Sequence, residues 1–187
     1  MAADPKGTRL HVFGASGSGT TTLARAIASY WSVPCYDCDD FYWQPTVTPF
    51  IEKRVIEDRL RLMEEMFLPR SAWVLSGSLF SWGSSLIPYF DAVVFLSLDN
   101  AKRMQRLQER EERRYGASAI SPGGAHYRKF RKFMDWNARY EDPDFSGRSR
   151  VSHEKWMSDL RCPIIRVDSS HPVDGLVAQV NSELGLP

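Results

Sequence analysis

Cysteine is scarce and odd in number: Cys35, Cys38 and Cys162 are all that the 187-residue chain contains. Three thiols cannot pair into a complete disulfide framework, so the expectation is a reducing compartment, the cytoplasm. Cys35 and Cys38 have the spacing of a redox pair or half a zinc site. Only Cys162 and four scattered histidines remain as further ligands, and the balance favours structural cysteines. No apolar run approaches the roughly 20 residues that span a bilayer. The opening MAADPKGTR has no apolar stretch behind a basic start, so a soluble chain is the expectation. A strong net charge is also missing: 24 Lys+Arg against 23 Asp+Glu leave +1, which gives no overall electrostatic case for nucleic acid or a membrane surface. Internal repeats are absent as well.

What is present is ordinary globular composition. Hydrophobic residues make up 43% and charged residues 25%, enough of each for a packed core under a solvated surface. The length suits one domain over 1–187. Arg9 to Phe13 reads as a first strand and Thr21 to Trp31 as the helix behind it. Further strands are expected near Cys35 to Asp39, Trp73 to Leu75, Ala92 to Leu98 and Pro163 to Val167. Between them, Phe50 to Leu68 carries an amphipathic stripe that includes Ile51, Val55, Ile56, Leu60 and Met63, read as core packing, and Lys102 to Tyr115 is a charged helix. Strands separated by helices predict an α/β fold with a mostly parallel sheet. Its ligands should lie beyond the carboxyl ends of the strands.

Directly after the first strand stand Gly14, Ala15, Ser16, Gly17, Ser18, Gly19, Thr20, Thr21 and Thr22. Glycines there permit backbone torsions closed to other residues, so that consecutive N–H groups can curl around phosphate oxygens at the positive end of a helix. Thr21 is expected to place its hydroxyl on magnesium. A lysine is absent, because Thr20 stands where G-x-x-x-x-G-K-[ST] places the cation for the β- and γ-phosphates. Two outcomes follow: another cation substitutes, or nucleotide binds with little or no transfer. The segment 101–150 holds 13 Lys+Arg against 7 Asp+Glu, a balance of +6. Substitution from there, by Arg110 and Arg114, is the expectation; helix-face pairing with neighbouring glutamates is the alternative.

At the end of the second strand, Asp37, Asp39 and Asp40 precede Phe41, Tyr42 and Trp43. Phosphoryl transfer needs one carboxylate to orient the acceptor hydroxyl and another near the metal. Asp39 is assigned to the acceptor, with Asp37, Asp39 and Thr21 around the metal. One of the three aspartates is also expected to cap the turn. The acceptor side is assigned to Phe41, Trp43, Arg54, Ser78 and Trp82, with Arg59 as a second candidate to hold an anionic group. Trp31, Trp136 and Trp156 read as core. The basic-aromatic run His126 to Arg139 fits an amphipathic helix, with Tyr127, Phe130, Phe133, Met134 and Asn137 inward, better than a nucleic-acid surface.

The glycine-rich loop resembles those of P-loop nucleoside and nucleotide kinases. Asp39-Asp40-Phe41-Tyr42 is similar to the acidic-aromatic turn of uridine and nicotinamide riboside kinases, and the Asp37-x-Asp39 spacing resembles shikimate kinases. The Asp-Asp-Phe-Tyr-Trp-x-Pro run is similar to bacterial adenylate-kinase-like, topology-modulation-type ATPases. The resemblance implies a three-layer fold with a five-stranded parallel sheet, an acceptor-binding helical region near 45–70 and a mobile lid near 110–140. It also implies ATP as donor, Mg2+, a small-molecule acceptor, and lid arginines such as Arg110 and Arg114 closing over the phosphates. Ser76-Gly77-Ser78 departs from the Asp-Gly of nucleoside monophosphate kinases. The expected activity is ATP-dependent transfer to a nucleoside, nucleotide or similar alcohol by a monomer or homodimer; a nucleotide-binding regulator without transfer is the alternative.

Overall fold

The computed structural model describes residues 5–186; residues 1–4 of the opening segment and Pro187 lie outside the described residues. Five strands, β1 (Arg9–Gly14), β2 (Cys35–Asp37), β3 (Trp73–Ser76), β4 (Ala92–Ser97) and β5 (Ile164–Asp168), form one sheet in the order β2-β3-β1-β4-β5. Every pairing is parallel. The helices are α1 (Thr20–Trp31), α2 (Cys38–Tyr42), α3 (Ile56–Met66), α4 (Asn100–Tyr115), α5 (Ala117–Ile120), α6 (Tyr127–Ala138), α7 (Arg150–Met157) and α8 (Val173–Leu184).

The alternation of side chains along a strand divides the core into two layers. Leu10 and Val12 of β1 join Leu23, Ile27, Trp31, Leu176 and Val180 on the face covered by α1 and α8. Phe13 belongs to the opposite cluster, with Phe41, Met63, Phe67, Trp73, Phe90, Phe95 and Met157. Trp31 Nε1 donates to Asn181 Oδ1 at 2.8 Å, which satisfies the indole where α1 packs on α8. No helix among the described residues is long and apolar enough to cross a membrane.

Two expectations change. The helix predicted from Phe50 begins at Ile56, because Phe50 has a φ of 62°, and Ile51 and Val55 are 62% and 59% exposed. The inward stripe is therefore carried by Met63 and Phe67, both at 0% exposure, and not by the upstream residues. Trp136, expected in the core, is exposed on α6 and packs edge-on to Phe145, 5.6 Å between centroids. The inward face of α6 follows the sequence pattern, with Met134 and Asn137 buried and Tyr127, Phe130 and Phe133 half-buried.

Candidate active site

The order of the sheet brings the ends of β2, β3 and β1 together, which is where the crevice of an open parallel sheet lies. From β1, the chain turns through Ala15–Ser18 into α1. Gly14 has no room for a side chain: a Cβ there would stand 2.5 Å from the Leu96 carbonyl oxygen. Gly17 and Gly19 have φ of 84° and 95°, the left-handed region that L side chains resist. Gly19 is the N-cap of α1 and supplies no side-chain acceptor. The first turn therefore has no side-chain cap, at the positive end of a 12-residue helix, an arrangement suited to an anion.

Asp37 closes the opposite wall. Its Oδ2 accepts from the Thr21 hydroxyl at 2.9 Å and from the Ser76 hydroxyl at 2.9 Å, while Oδ1 accepts from the Asp39 N–H at 3.0 Å and so caps α2. Thr21 and Asp37 supply hard oxygen donors next to the phosphate loop, which suits Mg2+, an ion held through one or two carboxylates, waters and substrate phosphates. Among the described residues, no cluster of three or more His, Cys, Asp or Glu is placed to hold a metal alone.

Asp39 stands at the mouth of the crevice. It is exposed to solvent. Desolvation raises its carboxyl above the ordinary 3.8, the adjacent Asp37 raises it further, and Arg148, a hydrogen bond from the Trp43 side chain and Arg110 oppose the rise. A carboxylate with a raised pKa between two arginines and an indole is suited to accept a proton from a bound hydroxyl.

The other assigned residues separate into those that reach this crevice and those that do not. Phe41 is 3% exposed and packs against Phe67 in the core, and Trp82 is 7% exposed behind Tyr42. Both belong to the buried core. Arg54 is consumed locally, donating to the carbonyls of Phe41 and Trp43 and to Gln44 Oε1. Arg59 makes fewer hydrogen bonds. It is buried, its Nε donates to the Arg54 carbonyl, and its guanidinium stacks on Tyr42 at 3.9 Å with Trp82 at 5.2 Å. Among the described residues no carboxylate pairs with it. Ser78 accepts from the Phe80 N–H and lies 3.4 Å from His153 Nε2.

Arg110 and Arg114 hydrogen-bond to the buried Glu111, at 3.1 and 3.3 Å, and not to the phosphate loop. These are i,i+1 and i,i+3 contacts to one buried glutamate, where the alternative reading had solvated i,i+4 pairs with Glu109, Glu111 and Glu112. Arg114 also lies 4.9 Å over the Phe50 ring, which joins α4 to the acceptor side. The cations that do approach the loop are others. Arg103 Nη1 donates to the Ser16 carbonyl at 2.9 Å, and Arg106 Nη1 lies 3.8 Å from where a Gly19 Cβ would stand. Arg148 Nη2 donates to Ser16 Oγ. Arg148 carried no motif of its own; the only signal for it was the positive balance of 101–150. A cavity of about 430 Å³ lies apart from all of this, between α4, α5 and α6, lined by Met104, Ile120, Tyr127 and Met134 among others.

No family model matches the chain. It is 37% identical over 171 residues to the uncharacterized protein YqaC of Bacillus subtilis (strain 168), a match covering 91% of this chain and 94% of that one. The chain belongs to the YqaC family. Among solved structures, this YqaC-family protein is similar to a shikimate kinase from Bacteroides thetaiotaomicron, with TM-score 0.57, 16% identity and coverage of 96% of this chain and 99% of the other. A gluconokinase from Sinorhizobium meliloti 1021 gives TM-score 0.53 at 18% identity, covering 96% and 92%. A sugar kinase from Janibacter sp. HTCC2649 gives 0.51 at 17%, covering 96% and 95%. At these identities the likeness shows the fold, that of P-loop small-molecule kinases.

Proposed function

We propose that this YqaC-family protein transfers the γ-phosphoryl group of ATP to a hydroxyl of a small anionic metabolite. The observation that carries the reading is the Thr21–Asp37 hydrogen bond, which sets the uncapped start of α1 against a carboxylate wall with Asp39 two residues further on. A phosphate-binding helix end alone would bind many anions; paired with a metal-type carboxylate and a proton acceptor, it has the parts that phosphoryl transfer requires.

The loop amides and α1 would hold the triphosphate, and Thr21 and Asp37 would hold Mg2+. When bound, the ion neutralises phosphate charge and orients the donor. Asp39 accepts the proton of the acceptor hydroxyl as its oxygen bonds to the γ-phosphorus. The bond from that phosphorus to the bridging oxygen breaks, and ADP leaves with the electron pair. Trp43, Arg148 and Arg110 favour the ionised form of that carboxylate. Arg59, stacked between aromatic rings without an acidic partner, supports an acceptor that bears a carboxylate or phosphate, since guanidinium matches both in a bidentate manner.

A second reading, nucleotide binding without transfer, has one observation in its favour: Thr20 cannot supply the charge of a lysine. Release of ADP from MgATP, measured across nucleosides, nucleoside monophosphates, sugar acids and hydroxylated carboxylates, separates the two. Acceptor-dependent release that Thr21→Ala abolishes is the expected result, and tight nucleotide binding with no release for any acceptor would leave the binding module.

A further inference from the structure

The phosphate loop lacks one positive charge in its own sequence, and a residue 132 positions away lies directly on it. Arg148 Nη2 donates to the hydroxyl of Ser16, the third residue of the loop. Its Nε is shielded from solvent and has no hydrogen-bond partner. The guanidinium is held in place: it lies 5.1 Å over the Trp136 ring, and the next residue, Ser149, caps α7 through reciprocal bonds with Ser152. That explains why Trp136 sits on the surface rather than in the core.

The charges around Arg148 are unbalanced. Arg103, whose Nε is likewise buried without a partner, grips the carbonyl of the same Ser16, so two guanidinium groups converge on one loop residue. Burial lowers the pKa of Arg148, Asp39 opposes that most strongly among its neighbours, and Arg103 adds to it. No carboxylate hydrogen-bonds to Arg148 among the described residues. A shielded cation beside another cation, with an unused donor, is an unfavourable arrangement unless an anion enters between them. A phosphate cradled by the loop amides would offset both charges.

We propose that Arg148 supplies the charge that Thr20 lacks, contacting the terminal phosphate of bound ATP at the Ser16 side of the loop, on the path to Asp39. The inference deepens the reading under Proposed function and rests on its nucleotide site, though not on transfer taking place. The cation comes from the far end of the helical region and not from Arg110 or Arg114, which Glu111 engages. Because Arg148 acts on both Ser16 and Asp39, it joins the donor phosphate to the acceptor base.

The test is calorimetric affinity for MgATP and MgADP in the full chain, with Arg148→Ala, Arg148→Gln and the double variant Arg148→Ala/Thr20→Lys. Removing a charge-assisted contact to the terminal phosphate is expected to weaken ATP by about tenfold or more, with ADP changed by less than about twofold. Lysine at position 20 is expected to restore most of the ATP affinity. Arg148→Gln keeps a donor for Ser16 without the charge, and it should repeat the ATP-specific loss even if the alanine variant folds poorly. Equal loss for ATP and ADP, or no loss, would overturn the proposal, as would failure of the wild-type chain to bind nucleotide. ATP-specific loss in a protein that phosphorylates no acceptor would retain Arg148 as the phosphate cation and remove the transfer reading alone.

Discussion

The hydroxyl of Thr21 and the carboxylate of Asp37 are 2.9 Å apart, so the first turn of α1 and the end of the edge strand β2 share one oxygen. Ser76, at the end of β3, donates to that same oxygen, and three elements are thereby joined at the point where the proposed metal-bound triphosphate would sit.

Thr21→Ala removes a metal donor and one of the two hydroxyls holding Asp37 Oδ2. Acceptor-dependent ADP release should fall on the order of 10²-fold, the scale of a misplaced reacting group. Thr21→Ser, which keeps the hydroxyl, should stay near wild type. Steady-state ADP release at saturating ATP is the measurement, and equal activity in the alanine variant would remove Thr21 from the metal site.

Asp39→Asn should lower kcat by roughly 10² to 10⁴, the range for loss of a general base, with nucleotide affinity little changed. The sign of the pH effect follows from the raised carboxyl. The base works ionised, so kcat/KM for the acceptor should fall as pH drops through a value above the ordinary 3.8, and the asparagine variant should lose that limb. A pH profile that is the same for both proteins would contradict the assignment.

Arg59→Gln should raise the KM for an anionic acceptor by about tenfold or more, because a charged hydrogen bond is lost, and leave ATP affinity unchanged. A neutral acceptor should be indifferent to the change. Acceptor KM and nucleotide Kd, measured side by side, decide this.

His11 and His153 make the fold acid-sensitive. Burial pushes both down to about 3, with Arg148 adding to the effect on His153, whereas an unfolded histidine titrates near 6.5. Between these values the unfolded chain binds more protons than the native one. Stability is therefore fully present above pH 6.5 and is lost as pH falls, by roughly 2 kcal/mol per histidine at pH 5. Urea midpoints should drop between pH 7 and pH 5, and His11→Phe, which keeps an aromatic ring between Phe13 and Phe90, should reduce the drop by about half. Midpoints that do not vary over this interval would argue against neutral buried imidazoles.

Much of the fold was legible in the chain because its signals are local. The glycine spacing of the loop, the apolar runs of β1 and β4 and the inward face of α6 need no distant partner to be read. The helix at Phe50 was misplaced because amphipathic spacing continues through Ile51 and Val55, while the left-handed Phe50 and the exposed turn after it deny those residues a surface to pack on. Phe41 and Trp82 were assigned to the acceptor for following strand ends; direction out of the backbone, which spacing does not encode, turns them into the core.

By itself the sequence determined the parallel α/β architecture, the phosphate loop and its missing lysine, since each depends on residue type at short spacing. Only the tertiary structure decided which arginines reach that loop. Eight arginines stand within 101–150 ahead of Arg148, and nothing in their order marks one, because proximity to Ser16 is set by how the chain packs over the loop and by Trp136 and Ser149 holding Arg148 against it.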